Sequence, residues 1–221
     1  MYHYILFDLD GTITESAPGI VNSVRYALNK MKYEVRDEEE LLRFIGPPLI
    51  DSMKKFYGMN DEQAEQAVVF YREYFSEKGL FENSVYDGIE ECLKQLKEKG
   101  KILAIATSKP EEYSVRIAEH FGFSNMFDNI CGATMDKSRT RKADVIRYTL
   151  KTLGITDENK SSVLMVGDRR HDIIGAKENG LDSIGVLYGY GDRDELEKAG
   201  AVYIAETTGD ISEIILKLDE E

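Results

Sequence analysis

The sequence predicts an α/β protein, a mostly parallel sheet layered between helices, with a second, all-helical domain inserted into it. Three observations lead there. The runs Tyr4-Ile5-Leu6-Phe7, Ile102-Leu103-Ala104-Ile105-Ala106 and Val163-Leu164-Met165-Val166 are continuously apolar, which suits strands buried on both faces. Helical periodicity separates the second and third runs, as right-handed crossovers between parallel strands require. Between the first and second runs, residues 15–84 carry helical patterns only. The expected organisation is a core of residues 1–14 and 85–221, interrupted by a helical domain over 15–84.

Along the inserted stretch, Ile20, Val24, Ala27, Leu28 and Met31 form one stripe over Gly19 to Met31. Asp37 to Glu40 open a second helix, with acids at its positive end, and Gly46-Pro47-Pro48 break it. Helices follow over Leu49–Tyr57 and from Asp61 to Lys78. In the core, a helix over Ile89–Lys99 precedes the second strand, which Thr107-Ser108-Lys109-Pro110 closes. A helix over Glu111–Phe121, a short segment Asn129–Gly132 and a helix over Arg141–Leu153 come before the third strand. A helix over Asp172–Asn179, strands Ser183–Val186 and Tyr203-Ile204, and a helix over Ile211–Leu218 complete the chain. The acidic end Asp219-Glu220-Glu221 reads as a solvated tail.

With 221 residues, 42% of them hydrophobic and 31% charged, the chain can bury a good core. No apolar run approaches the roughly 18 residues that span a bilayer. The N-terminus enters a strand without a basic segment, an apolar signal core or a cleavage site, so a cytoplasmic location is expected. The net charge of -13 disfavours nucleic-acid polymers and anionic membranes as partners. Cys92 and Cys131, without a CxxC or His spacing, read as structural thiols.

Ligands of open parallel sheets sit at the carboxyl ends of the strands. Here those ends carry Asp8 and Asp10, then Thr107 and Ser108, then Gly167-Asp168. Asp8 and Asp10 share a face if the first strand continues past Asp8; if the backbone turns there, they can still converge on one point. Adjacent carboxylates resist ionising together unless a proton or a cation relieves the charge, and Mg2+ is the simplest answer.

With these segments in view, the sequence resembles the haloacid dehalogenase superfamily, in particular its phosphatases related to phosphoglycolate phosphatase and cytosolic 5'-nucleotidases. The resemblance spans essentially the whole chain. Its first motif, DxDGT, stands as Asp8-Leu9-Asp10-Gly11-Thr12, and its second, a Thr or Ser ending an apolar strand, as Thr107. Its third, a lysine opening a helix, is Lys142, and its fourth, an acidic pair after a strand, is Asp168 and Asp172. The resemblance implies a Rossmann-like three-layer core with an inserted α-helical cap. It also implies a Mg2+-dependent phosphatase of small-metabolite phosphate monoesters, acting through an aspartyl-phosphate.

By resemblance, Asp8 is the nucleophile and Asp10 the acid that protonates the leaving alkoxide and later activates water. Mg2+ is held by the Asp8 carboxylate, the Asp10 backbone carbonyl and Asp168, with Asp172 orienting Lys142 or a metal-bound water. Thr107, Ser108 and Lys142 bind the phosphoryl oxygens. In the cap, Arg43 and the turn Gly46-Pro47-Pro48 contact the leaving group, with Arg25 or Lys54 as helpers. Asp10 argues against carbon-halogen hydrolysis, since a halide needs no proton. Thr12 stands where the family's sugar phosphomutases often carry Val. A β-phosphoglucomutase-like mutase and a non-catalytic binding protein are the alternatives, and the partner is a small phosphorylated metabolite bound by a monomer or homodimer.

Overall fold

The structure, a computed structural model, describes every residue except 36, 137 and 221. It divides into two compact units, residues 1–15 with 85–221, and residues 16–84.

The first unit is built on a six-stranded sheet in the order β5-β4-β1-β6-β7-β8, with every pair parallel. Its strands are β1 (Tyr4–Phe7), β4 (Ile102–Pro110), β5 (Asn129–Ala133), β6 (Val163–Gly167), β7 (Asp182–Val186) and β8 (Tyr203–Ala205). Two-residue strands β2 (Thr14–Glu15) and β3 (Ser84–Val85) form a separate ribbon where the chain leaves and re-enters this unit. Among the described residues, six α-helices accompany the sheet: α5 (Ile89–Glu98), α6 (Glu111–His120), α7 (Lys142–Thr152), α8 (Arg170–Glu178), α9 (Arg193–Ala199) and α10 (Thr208–Glu220).

The apolar runs are strands for the expected reason. Leu6, Ala104, Ala106 and Met165 pack with Val145, Ile146 and Leu150 of α7 and Ala176 of α8 in one core cluster. The alternate residues Ile5, Phe7, Leu103 and Ile105 face the opposite side and are also 0% exposed, so both faces are covered. β1 lies between β4 and β6, in register Phe7 with Ile105 and with Val166. From β1 the chain builds outward to β4 and β5 on one side, then crosses to β6, β7 and β8 on the other. The order reverses at β1, the switch point at which such sheets bind ligands.

Some elements differ from the sequence expectation. β4 continues through Thr107-Ser108-Lys109-Pro110, because Pro110 still pairs with Ala133 of β5 across a register shift. The acidic end is not simply solvated. α10 continues to Glu220, and Asp219 pairs with the buried ammonium of Lys101, which also donates to the Tyr2 carbonyl. Glu221 lies outside the described residues.

The second unit packs α1 (Ala17–Lys30), α2 (Glu38–Leu42), α3 (Leu49–Tyr57) and α4 (Asp61–Tyr74) around Val24, Leu28, Leu41, Phe44, Met53, Ala67 and Tyr71. Asp37 caps α2, and Asn60 with Gln63 forms a reciprocal capping box on α4. The predicted continuation of α4 to Lys78 is instead a π-turn over Phe75–Gly79. Gly79 packs so closely on α1 that a Cβ on Gly19 would sit 2.0 Å from the Gly79 carbonyl oxygen.

Candidate active site

Asp8 follows β1 directly, and its N–H still donates to the Val166 carbonyl of β6 at 2.9 Å. The backbone then turns through Gly11, whose φ of +80° suits glycine. Thr107 and Lys109 come from the end of β4, Lys142 opens α7, Asp168 follows β6, and Asp172 lies in the first turn of α8. All six are buried.

Lys142 is the hub. Its ammonium lies 2.7 Å from Asp8 Oδ1 and 2.8 Å from Asp172 Oδ1, and donates to the Ala106 carbonyl at 3.0 Å. Burial alone would lower its pKa, but Asp172 and Asp8 outweigh that and raise it, so it stays cationic. Asp172 also accepts the Arg169 N–H through Oδ2 at 3.0 Å, capping α8 and fixing the carboxylate that orients Lys142.

Carboxylate oxygens of Asp8, Asp168 and Asp172 lie within 4.8 Å of one another. Burial, first, and the Asp172 charge push the Asp8 pKa up, against Lys142 and a hydrogen bond from Thr107. Burial and the charges of Asp172 and Asp8 push Asp168 well above the usual range, and the Tyr190 N–H, 2.8 Å from Oδ2, opposes them. Asp168 Oδ1 is buried with no hydrogen-bond partner among the described residues. A buried, unpartnered carboxylate oxygen facing two other carboxylates fits a hard divalent cation such as Mg2+.

Close backbone approach shapes this site. A Cβ on Gly11 would lie 2.2 Å from Asp168 Oδ2, and one on Gly189 2.3 Å from the Gly11 carbonyl oxygen. The Tyr188-Gly189-Tyr190-Gly191 loop is held down, with the Tyr188 hydroxyl on the Thr12 carbonyl at 2.8 Å and the Tyr190 hydroxyl on Glu15 at 3.2 Å. The loop's grip on Asp168 spans 22 residues and has no local signature.

Asp10 stands apart from the carboxylate cluster. Its Oδ1 accepts a 2.6 Å hydrogen bond from Lys109 Nζ. Ser108, on the opposite face of β4 from Thr107 and Lys109, is exposed.

The cap-loop candidates belong to the second unit. Arg43 is exposed at the end of α2, and Gly46, with φ of +98°, turns the chain into Pro47. Arg25 is engaged by Asn22 and Glu38, and Lys54 by Asp61. Cys92 and Cys131 are buried free thiols, and burial pushes Cys92 up to about 11, in keeping with structural roles.

The switch-point location and the four acidic and basic positions define a hydrolase of the haloacid dehalogenase-like class. A model of the haloacid dehalogenase-like hydrolase family matches residues 5–186, and the chain belongs to that family. It is 45% identical over 195 residues to a protein of Pseudomonas aeruginosa named 5'-nucleotidase, covering 88% of this chain and 87% of that one. It is 40% identical over 200 residues to the tyrosine-protein kinase PtkA of Mycobacterium tuberculosis, covering 90% of this chain and 67% of that one. The crystal structure of a predicted phosphatase from Clostridium acetobutylicum superposes with a TM-score of 0.91 at 47% identity, covering 98% and 99% of the two chains.

Proposed function

We propose that this protein is a Mg2+-dependent phosphatase of small phosphorylated metabolites, of the phosphoglycolate phosphatase or 5'-nucleotidase type. The observation that carries this reading is the pairing of Asp8 with Lys142 at 2.7 Å beside the unpartnered Asp168 Oδ1. An anionic nucleophile must meet an anionic ester, and that requires fixed positive charge around both.

Asp8 and Asp168, with the Asp10 backbone carbonyl, are the groups that would hold Mg2+. When bound, the ion supplies charge neutralisation for nucleophile and phosphoryl oxygens. Lys142 and Thr107 bind the phosphoryl oxygens, and Lys142 is kept charged and oriented by Asp172. Asp8 attacks phosphorus and forms an aspartyl-phosphate, which splits one difficult displacement into two easier ones. Asp10 gives its proton to the leaving oxygen and takes one from the water that attacks the intermediate. The helical unit, through Arg43, Gly46 and Pro47, is the proposed cap that selects the leaving group.

The test is phosphate release across phosphoglycolate, nucleoside 5'-monophosphates and sugar phosphates, with and without Mg2+. Release that needs Mg2+ and is lost in Asp8→Asn supports the reading and ranks the substrates. Isomerised sugar phosphate without net release would make the chain a mutase. Phosphate transferred to a tyrosine peptide in place of water would move it toward the reaction named for the mycobacterial relative. Inertness under all these conditions would leave a binding protein.

A further inference from the structure

β4 runs four residues beyond Ala106, and this extension brings a second lysine to the site. Side chains of extended backbone alternate, so Thr107 and Lys109 share the face that Ser108 does not. The same two-residue spacing separates Asp8 from Asp10. Thr107 hydrogen-bonds Asp8, and Lys109 hydrogen-bonds Asp10 at 2.6 Å. Lys142 thus pairs with Asp8 and Asp172, and Lys109 pairs with Asp10. Lys109's side chain is 5% exposed and that of Asp10 22%, which sets the pair at the mouth, with the carboxylate toward solvent.

Asp10 lies outside the carboxylate cluster, and an unrestrained Asp side chain rotates freely about two bonds. Lys109 supplies a directional hold. We infer that Lys109 is a positioning residue, fixing Asp10 through Oδ1 so that Oδ2 carries the proton to and from the ester oxygen. This rests on the phosphatase reading above. In the first step an Asp8 oxygen bonds to phosphorus, and the bond from phosphorus to the ester oxygen breaks with its electron pair on that oxygen. Asp10's proton follows to it. Water then attacks phosphorus, the bond from Asp8 to phosphorus breaks, and Asp10 recovers a proton from that water.

The test is kcat/KM for p-nitrophenyl phosphate and for an alkyl phosphate in the presence of Mg2+. It uses the wild type, Lys109→Met, Lys109→Gln, Asp10→Asn and the Asp10→Asn/Lys109→Met double variant. This ratio reads only steps up to the first irreversible one, transfer to Asp8. A nitrophenolate leaves without a proton, whereas an alkoxide needs one. Lys109→Met should lower the alkyl-to-aryl ratio by about 10- to 100-fold, with Asp10→Asn at least as severe. The double variant should be no worse than Asp10→Asn, because the two side chains act as a unit. Lys109→Gln, which keeps a donor without the charge, should fall between, and it carries the test if Lys109→Met does not fold. Equal losses on both esters that add to Asp10→Asn would assign Lys109 to phosphate binding and overturn the inference, as would no loss at all. If the wild type hydrolyses neither ester, the phosphatase reading fails and takes this inference with it; an active wild type with an unchanged ratio in the variants removes this inference alone.

Discussion

Replacing Asp168 by Asn should make the metal-free protein more stable while abolishing its response to Mg2+. The two side chains are the same size. Asn Oδ1 can keep the Tyr190 N–H bond that Asp168 Oδ2 now accepts, and its amide can donate to Asp8 or Asp172 from the position of the unpartnered oxygen. Asp8, Asp172 and Lys142 together present one net negative charge to Asp168. Two unit charges 4.8 Å apart repel by about 3.5 kcal/mol at an effective dielectric of about 20. Allowing for relaxation, the variant should gain about 2–3 kcal/mol, which raises Tm by roughly 5–10 °C for a protein of this size.

The sign depends on pH. Asp168's folded pKa lies well above its ordinary value of 3.8, so its contribution is fully favourable below 3.8 and is lost as pH rises through the raised folded value. The gap between variant and wild type should therefore be absent in strong acid and widen as pH rises through that folded value. The assay is thermal unfolding at several pH values, with EDTA and with Mg2+. Mg2+ should raise the wild-type Tm, more so at pH 8 than at pH 5, and leave the variant nearly unmoved. A variant less stable than wild type in EDTA at pH 8, or one that Mg2+ stabilises equally, would refute the reasoning.

Three further changes probe the same site. Lys142→Met should destabilise by about 3–5 kcal/mol, because it strands two buried carboxylates, and should show as a lower urea midpoint at unchanged m-value. Gly11→Ala combines a φ of +80° with a Cβ 2.2 Å from Asp168 Oδ2, so it should cost more than the ~1–2 kcal/mol of the left-handed backbone alone and weaken Mg2+ binding by calorimetry. Thr12→Val should change the urea-unfolding free energy by less than about 1 kcal/mol, since the Thr12 hydroxyl is buried with no hydrogen-bond partner among the described residues.

Much of the sheet was legible because burial on both faces leaves a strong mark. Tyr4–Phe7 and Val163–Gly167 are apolar runs with no polar face to confuse them, and α3, flanked by Pro48 and Gly58, has the bounds its sequence predicts. The end of β4 was hidden because Thr, Ser, Lys and Pro resemble a strand terminus; only pairing with β5, remote in sequence, keeps that backbone extended. α9 carries only capping signs, the Asp192 cap on Glu195 and the left-handed Gly200 after it, because Arg193–Ala199 buries Leu196 alone and so has no apolar stripe. At the site, the residue types at each strand end were readable. The partnerships were not: Lys109 meets Asp10 across 99 residues, and Lys142 meets the Ala106 carbonyl across 36.

In the proposed mechanism Asp8 carries the phosphoryl group. Rapid acid quench during turnover, followed by mass spectrometry of the peptides, reads it directly. A phosphoryl group is expected on Asp8 in the wild type with Mg2+, and none with EDTA or in Asp8→Asn. Sustained turnover by Asp8→Asn, or a phosphoryl group on a different residue, would contradict it.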